Sequence, residues 1–194
     1  MISHETVMTI DFLRYYDLER YLLEDVHHHF HRDGFLSAFD FFAIVIWKAN
    51  RAKTLIARRL LSKCPGENID SAVSNLSSSL FQADNPRERL RLLIEDWGFH
   101  LPMASAILTI LWPDYFTVYD IRACEQLGGF HKLAHCTKFD KIWSNYKLFR
   151  DAVGAAGPEG ISLRDKDRYL WGRSSASQLQ QEIARCFSKA ETTS

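Results

Sequence analysis

The segment "GFHLPMASAILTILWPDYFTVYDIRA", Gly98 to Ala123, leads through a short crossing, "DYFTVYD", to a carboxylate at the head of a new helical stretch, "IRACEQL". That carboxylate, Asp120, has two uses. An aspartate opening a helix caps it by accepting from the amides of the first turn, and Thr117 with Asp120 also fits a capping box. A carboxylate facing a cavity instead stabilises positive charge developing on a sugar and orients a water molecule. Both readings are open from spacing alone. Arg122, just beyond, suits a carboxylate or a phosphate. Tyr119 with Trp112, Tyr115 and Phe116 are aromatics close enough in sequence to line a pocket beside Asp120.

Other groups are weaker. His27 and His31 in "HHHFH" stand at i and i+4, a spacing that can hold a metal ion, but no third ligand accompanies them. His131, His135 and Cys136 are similarly bare. No metal or cofactor is expected. Between Asp40 and Glu67 there is no acid, while Lys48, Arg51, Lys53, Arg58, Arg59 and Lys63 fall in that window. One basic face is therefore expected on a chain whose net charge is zero, suited to DNA phosphates or simply to water. Trp47, Trp97, Trp143 and Trp171 are most simply core residues.

These residues must be positioned by helices. Strand signals are scarce and helical spacing recurs. "DLERYLLEDVHHHF" puts Leu18, Tyr21, Leu22, Val26 and Phe30 on one face and stops at Gly34. A long helix is expected from Ser37 or Asp40 to Lys63, burying Phe39, Phe42, Ile46, Leu55, Ile56 and Leu60. A serine-rich helix follows. Asn85 caps the next, Pro86 takes its first position, and Gly98 ends it, with Leu90, Leu93, Ile94 and Trp97 as its apolar stripe. Gly98-Phe99-His100-Leu101 forms a tight turn into a second helix, Met103 to Leu111, whose Ala104, Ser105 and Ala106 permit close packing. Unpaired N–H groups at such a turn suit a phosphate. Two or three further helices complete the chain, and the tail "ETTS" should fray.

The 194 residues, 46% hydrophobic, suffice for one sizeable core or two small lobes. No apolar run is long enough to cross a bilayer, and the N-terminus turns acidic too early for a signal peptide. Cys64, Cys124, Cys136 and Cys186 follow no paired metal spacing, so free thiols in a cytoplasmic protein are expected.

The hairpin and the aspartate loop together resemble the helix-hairpin-helix DNA glycosylase superfamily, in its 8-oxoguanine-glycosylase-like bacterial branch. Gly98-Phe99-His100 falls on that family's Gly-x-Gly turn, "MASAILTIL" on its second hairpin helix, and "TVYDIRA" on the Pro-Val-Asp segment, with Asp120 on the catalytic aspartate. "VIWKANR", Val45 to Arg51, resembles an upstream stretch of the branch, and Trp171 in "DRYLWGR" resembles part of its C-terminal helix near the flipped base. The likeness covers about residues 85 to 175. It departs from the family at His100, which replaces the second glycine, and at Pro102, which occupies the place of the Schiff-base lysine of bifunctional members. No lysine lies between Lys63 and Lys132, so an imine from this hairpin is excluded. The four-cysteine iron–sulfur motif of some relatives is also missing.

The expectation is thus an all-α chain, residues 1–194 as a single helical domain. It has a helix-hairpin-helix glycosylase-like fold, two helical lobes with a cleft between them, and the hairpin-plus-aspartate segment at 86–123. The resemblance implies a double-stranded DNA-binding protein that removes a damaged base by monofunctional hydrolysis. Asp120 would be catalytic. Gly98, His100, Lys48, Arg51, Arg58, Arg59 and Arg122 would contact DNA, with Tyr119 and Trp171 at the base pocket. The alternatives are an inactive DNA-binding or interaction module of the same fold and a helical protein–protein adaptor.

Overall fold

The computed structural model describes residues 12–191, with side chains described to residue 186. The acidic N-terminal stretch and the last residues of "ETTS" lie outside them. The regular elements among the described residues are all helical, with no strand. After a 3-10 turn, α1 (Leu18–Tyr21) runs through a π-helical turn (Leu22–Val26) into α2 (His27–Asp33). Gly34, at φ 78°, ends this rod in the left-handed conformation that glycine adopts without steric cost. Then come α3 (Ala38–Ala49), α4 (Lys53–Lys63), α5 (Ile69–Gln82) and α6 (Pro86–Arg91), which continues as a π turn to Asp96. They are followed by α7 (Leu101–Leu111), α8 (Ile121–Leu127), α9 (Phe139–Ala155) and the long α10 (Leu163–Glu191).

Local signals set most ends. Ser37 accepts from the Asp40 amide to cap α3, and Asn85 accepts from the Glu88 amide to cap α6, with Pro86 in the first turn. Gly98, at φ 69°, breaks the π turn, and the Phe99 amide reaches back to the Leu93 carbonyl. His100 is the N-cap residue of α7, so the expected hairpin turn is present, one residue shorter than its sequence suggests.

Two expectations fail in the basic window. The single helix to Lys63 is broken at Ala49 (φ −161°, ψ 83°), followed by a 3-10 turn at Asn50–Ala52. The break redirects α4 so that Ile56 and Leu60 are buried on a helix packed against α5, and this tertiary burial overrides helix propensity. The buried face is also rotated. Phe41, Ile44 and Val45 are inside, whereas Phe39, Ile46 and Leu55 are exposed.

Buried side chains from Tyr21 to Leu170 join in one cluster. At its centre lies α7, every residue of which except Pro102 is buried. His27 and His31, far from forming a bare metal pair, donate to the carbonyls of Ile110 (3.1 Å) and Leu111 (2.7 Å) at the C-terminal end of α7. Two orphan carbonyls of a buried helix end are thereby satisfied.

Candidate functional site around Asp120

The loop before Asp120 is fastened at three consecutive amides by three helices. Thr117 N–H donates to the Tyr146 hydroxyl of α9 (3.1 Å), Val118 N–H to Asp167 Oδ2 of α10 (3.4 Å), and Tyr119 N–H to Ser105 Oγ of α7 (2.9 Å). The small residues of α7 therefore matter for more than close packing: Ser105 is an acceptor held under the loop. Tyr146 also donates to the Thr117 carbonyl at 2.7 Å. This use of the Thr117 backbone leaves its hydroxyl buried without a partner, so the expected Thr117–Asp120 capping box does not form. Preorganisation of this kind holds a side chain in one geometry without reorganisation cost at the moment of use.

Asp120 divides its two oxygens. Oδ1 accepts from the Arg122 amide at 2.9 Å and caps α8. Oδ2 accepts from Lys48 Nζ at 2.7 Å, and the two side chains are 24% and 15% exposed. Burial pushes the Asp120 carboxyl up, but the Lys48 ammonium and the Arg122 amide more than offset it, holding it below its ordinary value. The break at Ala49 is what ends α3 one residue past Lys48, beside the aspartate.

Asp120 lines a cavity of about 440 Å3 together with Glu19, Trp47, Lys48, Val118, Arg164, Asp167, Arg168 and Trp171. On one side stand α1 and α3, and on the other the loop and α10. The Arg164 guanidinium lies 5.1 Å over the Trp47 ring, pairs with Glu19 at 2.5 Å and donates to Asp167. Arg168 donates to Glu19 at 2.8 Å. Asp167 is 3% exposed, and that burial raises its carboxyl above the usual range against the lowering effect of Arg164 and the Val118 amide. Two carboxyls of opposite tendency therefore border one cavity, the arrangement that separates acid from base roles.

The remaining expected residues divide. Trp171 does line the cavity and is 51% exposed, not a core residue, with Arg122 5.4 Å over its ring. Arg122 also reaches Ser174 Oγ at 3.4 Å, so it braces α8 against α10. Tyr119 does not line the cavity: its buried ring packs 5.2 Å from Phe149 and its hydroxyl donates to the Phe130 carbonyl at 2.8 Å. Alternation along the extended loop turns Tyr119 inward and Asp120 outward. Trp112, Tyr115 and Phe116 are likewise elsewhere, packed against Arg89, Arg150 and Tyr146. Lys48 is at the aspartate and not on an open basic face. Arg59 is spent on the hairpin, donating to the Gly98 carbonyl and covering the Phe99 ring at 5.9 Å. Arg51, Arg58 and His100 are exposed.

Sequence reasoning missed Asp167, Arg164, Glu19 and Trp47. For Asp167 a signal existed: Leu163, Asp167, Leu170 and Ser174 share one face of α10, which marks a buried acid. Arg164 and Glu19 sit on faces that read as solvated, and their contact spans 145 residues.

Cys64, Cys124, Cys136 and Cys186 are free thiols. No group of three or more metal-ligating side chains occurs among the described residues, and none of their helices is long and apolar enough to cross a membrane. Comparison of the chain with family models, with characterised proteins and with solved structures found no match.

Proposed function

We propose that the chain binds double-stranded DNA and hydrolyses the N-glycosidic bond of a flipped base, with Asp120 beneath the sugar. The observation that carries this reading is the placement of Asp120 Oδ2 at a cavity walled by Trp47 and Trp171, on a loop fixed by three hydrogen bonds. A flipped base needs an aromatic slot, and a glycosyl cation needs an ionised carboxylate. Lys48 keeps that carboxylate ionised in the free protein. An incoming phosphodiester would draw the ammonium away and free Oδ2 for the sugar. Pro102 has no amine, so the hairpin forms no imine and the reading is of monofunctional chemistry. On this reading the two walls of the cavity, α1 with α3 and the Asp120 loop with α10, would stand where the two lobes of a helix-hairpin-helix glycosylase do.

A second reading has its own observation. Both oxygens of Asp120 already have partners, one in the helix cap and one on Lys48. A chain in which these bonds persist on DNA is a non-catalytic DNA-binding module. The test is free-base release from a panel of damaged duplexes by wild type and Asp120→Asn. Release that falls at least about a hundredfold in the variant supports hydrolysis, in keeping with the loss of one preorganised electrostatic partner. No release by a wild type that still binds the duplexes selects the module.

A further inference from the structure

A second cavity lies apart from Asp120. It measures about 740 Å3 and is bordered by the 3-10 turn His131–His135, the loop that follows, and the first turns of α9. Its lining includes Lys132, Lys138, Lys141, His131 and His135, and no carboxylate. All five are exposed, and the three lysines make no ion pair among the described residues. The nearest acid in sequence, Asp140, points at Arg87 at 2.5 Å and borders a smaller cavity beyond. That smaller cavity shares Lys138 and Lys141 and adds Arg87 and Arg91 of α6 with Glu95. There Arg87 is paired with Asp140, and Arg91 with Glu88, Glu95 and Asp96, so the cations without an acid partner among the described residues of the two cavities are the three lysines.

Three lysines line one cavity with no carboxylate to offset them, and a bound oxyanion would supply that counter-charge. The surface is also mechanically joined to the Asp120 loop. The Tyr119 hydroxyl donates to the Phe130 carbonyl and accepts from the Ala134 amide (3.1 Å), so the residue before Asp120 is bolted to the cationic turn.

We infer that the cavity of Lys132, Lys138 and Lys141 is a second phosphodiester site, seating the backbone of the same DNA duplex that presents its base to the Asp120 cavity. This rests on the DNA-binding part of the proposed function but not on its chemistry. The ligand is a phosphate oxyanion, supplied by duplex DNA in preference to a free phosphate. The three lysines are exposed and spread over the 3-10 turn, the residue that opens α9 and its first turn, a placement that fits a backbone better than a compact anion.

The test compares wild type with the triple variant Lys132→Gln, Lys138→Gln, Lys141→Gln. Affinity for a short fluorescent duplex is measured between about 50 and 200 mM salt, since each phosphate that is no longer neutralised flattens the log–log salt slope by about 0.9. The lysines are exposed, so melting temperature should hold and serves as the folding control. A flattening by about 1 to 3 with weaker binding supports the inference. An unchanged slope, or a wild type that binds no duplex, overturns it. A companion arm adds inorganic pyrophosphate: wild type binding pyrophosphate through these lysines while duplex affinity is the same in both proteins assigns the cavity to a small anion and also overturns it. Base release is read separately, so loss of the glycosylase reading with a flattened slope leaves this site standing.

Discussion

Lys48 Nζ donates to Asp120 Oδ2 at 2.7 Å, across 72 residues of sequence. The bond unites the end of α3 with the cap of α8, and it makes one carboxylate both a structural and a chemical group. Each partner compensates the other's partial burial, so removing either leaves a charge with too little solvation.

The pair should therefore show coupling. Lys48→Met and Asp120→Asn each should lower stability by about 1–3 kcal/mol, the range for a group left without its partner. The double variant should lose less than the sum. Urea unfolding of the four proteins measures this, and strict additivity would mean the bond contributes nothing in solution.

Of the three carboxyls that line the cavity, Asp120 and Asp167 should respond to pH in opposite senses. Asp120 is held low, so its contribution is present above the unfolded value of about 3.9 and disappears as pH falls through the folded value. Asp167 is raised, so its contribution is complete below about 3.9 and is lost as pH climbs through its folded value. The melting deficit of Asp120→Asn should accordingly narrow toward acid, while that of Asp167→Asn should narrow toward neutrality. Parallel pH profiles for the two variants would contradict the assigned environments.

Ser105→Ala tests the fastening of the loop. It leaves the Tyr119 amide without its acceptor at a buried position. The expected cost is about 1–3 kcal/mol. Hydrogen exchange at Tyr119 should accelerate, and an unchanged exchange rate there would show that α7 does not hold the loop.

The hairpin depends on Gly98 and Phe99. Gly98 is left-handed, and a Cβ there would meet Arg59 Cδ at an ordinary 3.9 Å, so Gly98→Ala is opposed by backbone strain of about 1–2 kcal/mol and not by a clash. Phe99 is 2% exposed, and Phe99→Ala should cost about 3–5 kcal/mol. Equal melting temperatures for the two variants would argue that the turn is not anchored by the ring.

For DNA contacts, Arg51 and Arg58 are the informative pair because both are exposed and neither has an ion-pair partner among the described residues. Arg51→Gln with Arg58→Gln should weaken duplex binding on all sequences alike and flatten its salt slope by up to about 2. Arg59→Gln should also lower stability, since it loses the Gly98 carbonyl. A double variant with an unchanged slope would remove α4 and its preceding turn from the DNA surface.

The sequence by itself determined the helical class, the Asn85–Pro86 start, the Gly34 and Gly98 stops, and Asp120 at the head of α8. These are local events: capping, left-handed turns and four-residue periodicity act between near neighbours, so the residues that make them are adjacent in the text. Only the tertiary structure decided which aspartate oxygen meets Lys48, that Asp167 is buried behind Arg164, and that Trp171 faces the cavity while Tyr119 faces Phe149. Charged residues on helix faces carry the same sequence pattern whether they face water or one another. Their partners are chosen by how the helices pack, and the break at Ala49, which burial of Ile56 and Leu60 imposes, is what leaves Lys48 beside the aspartate.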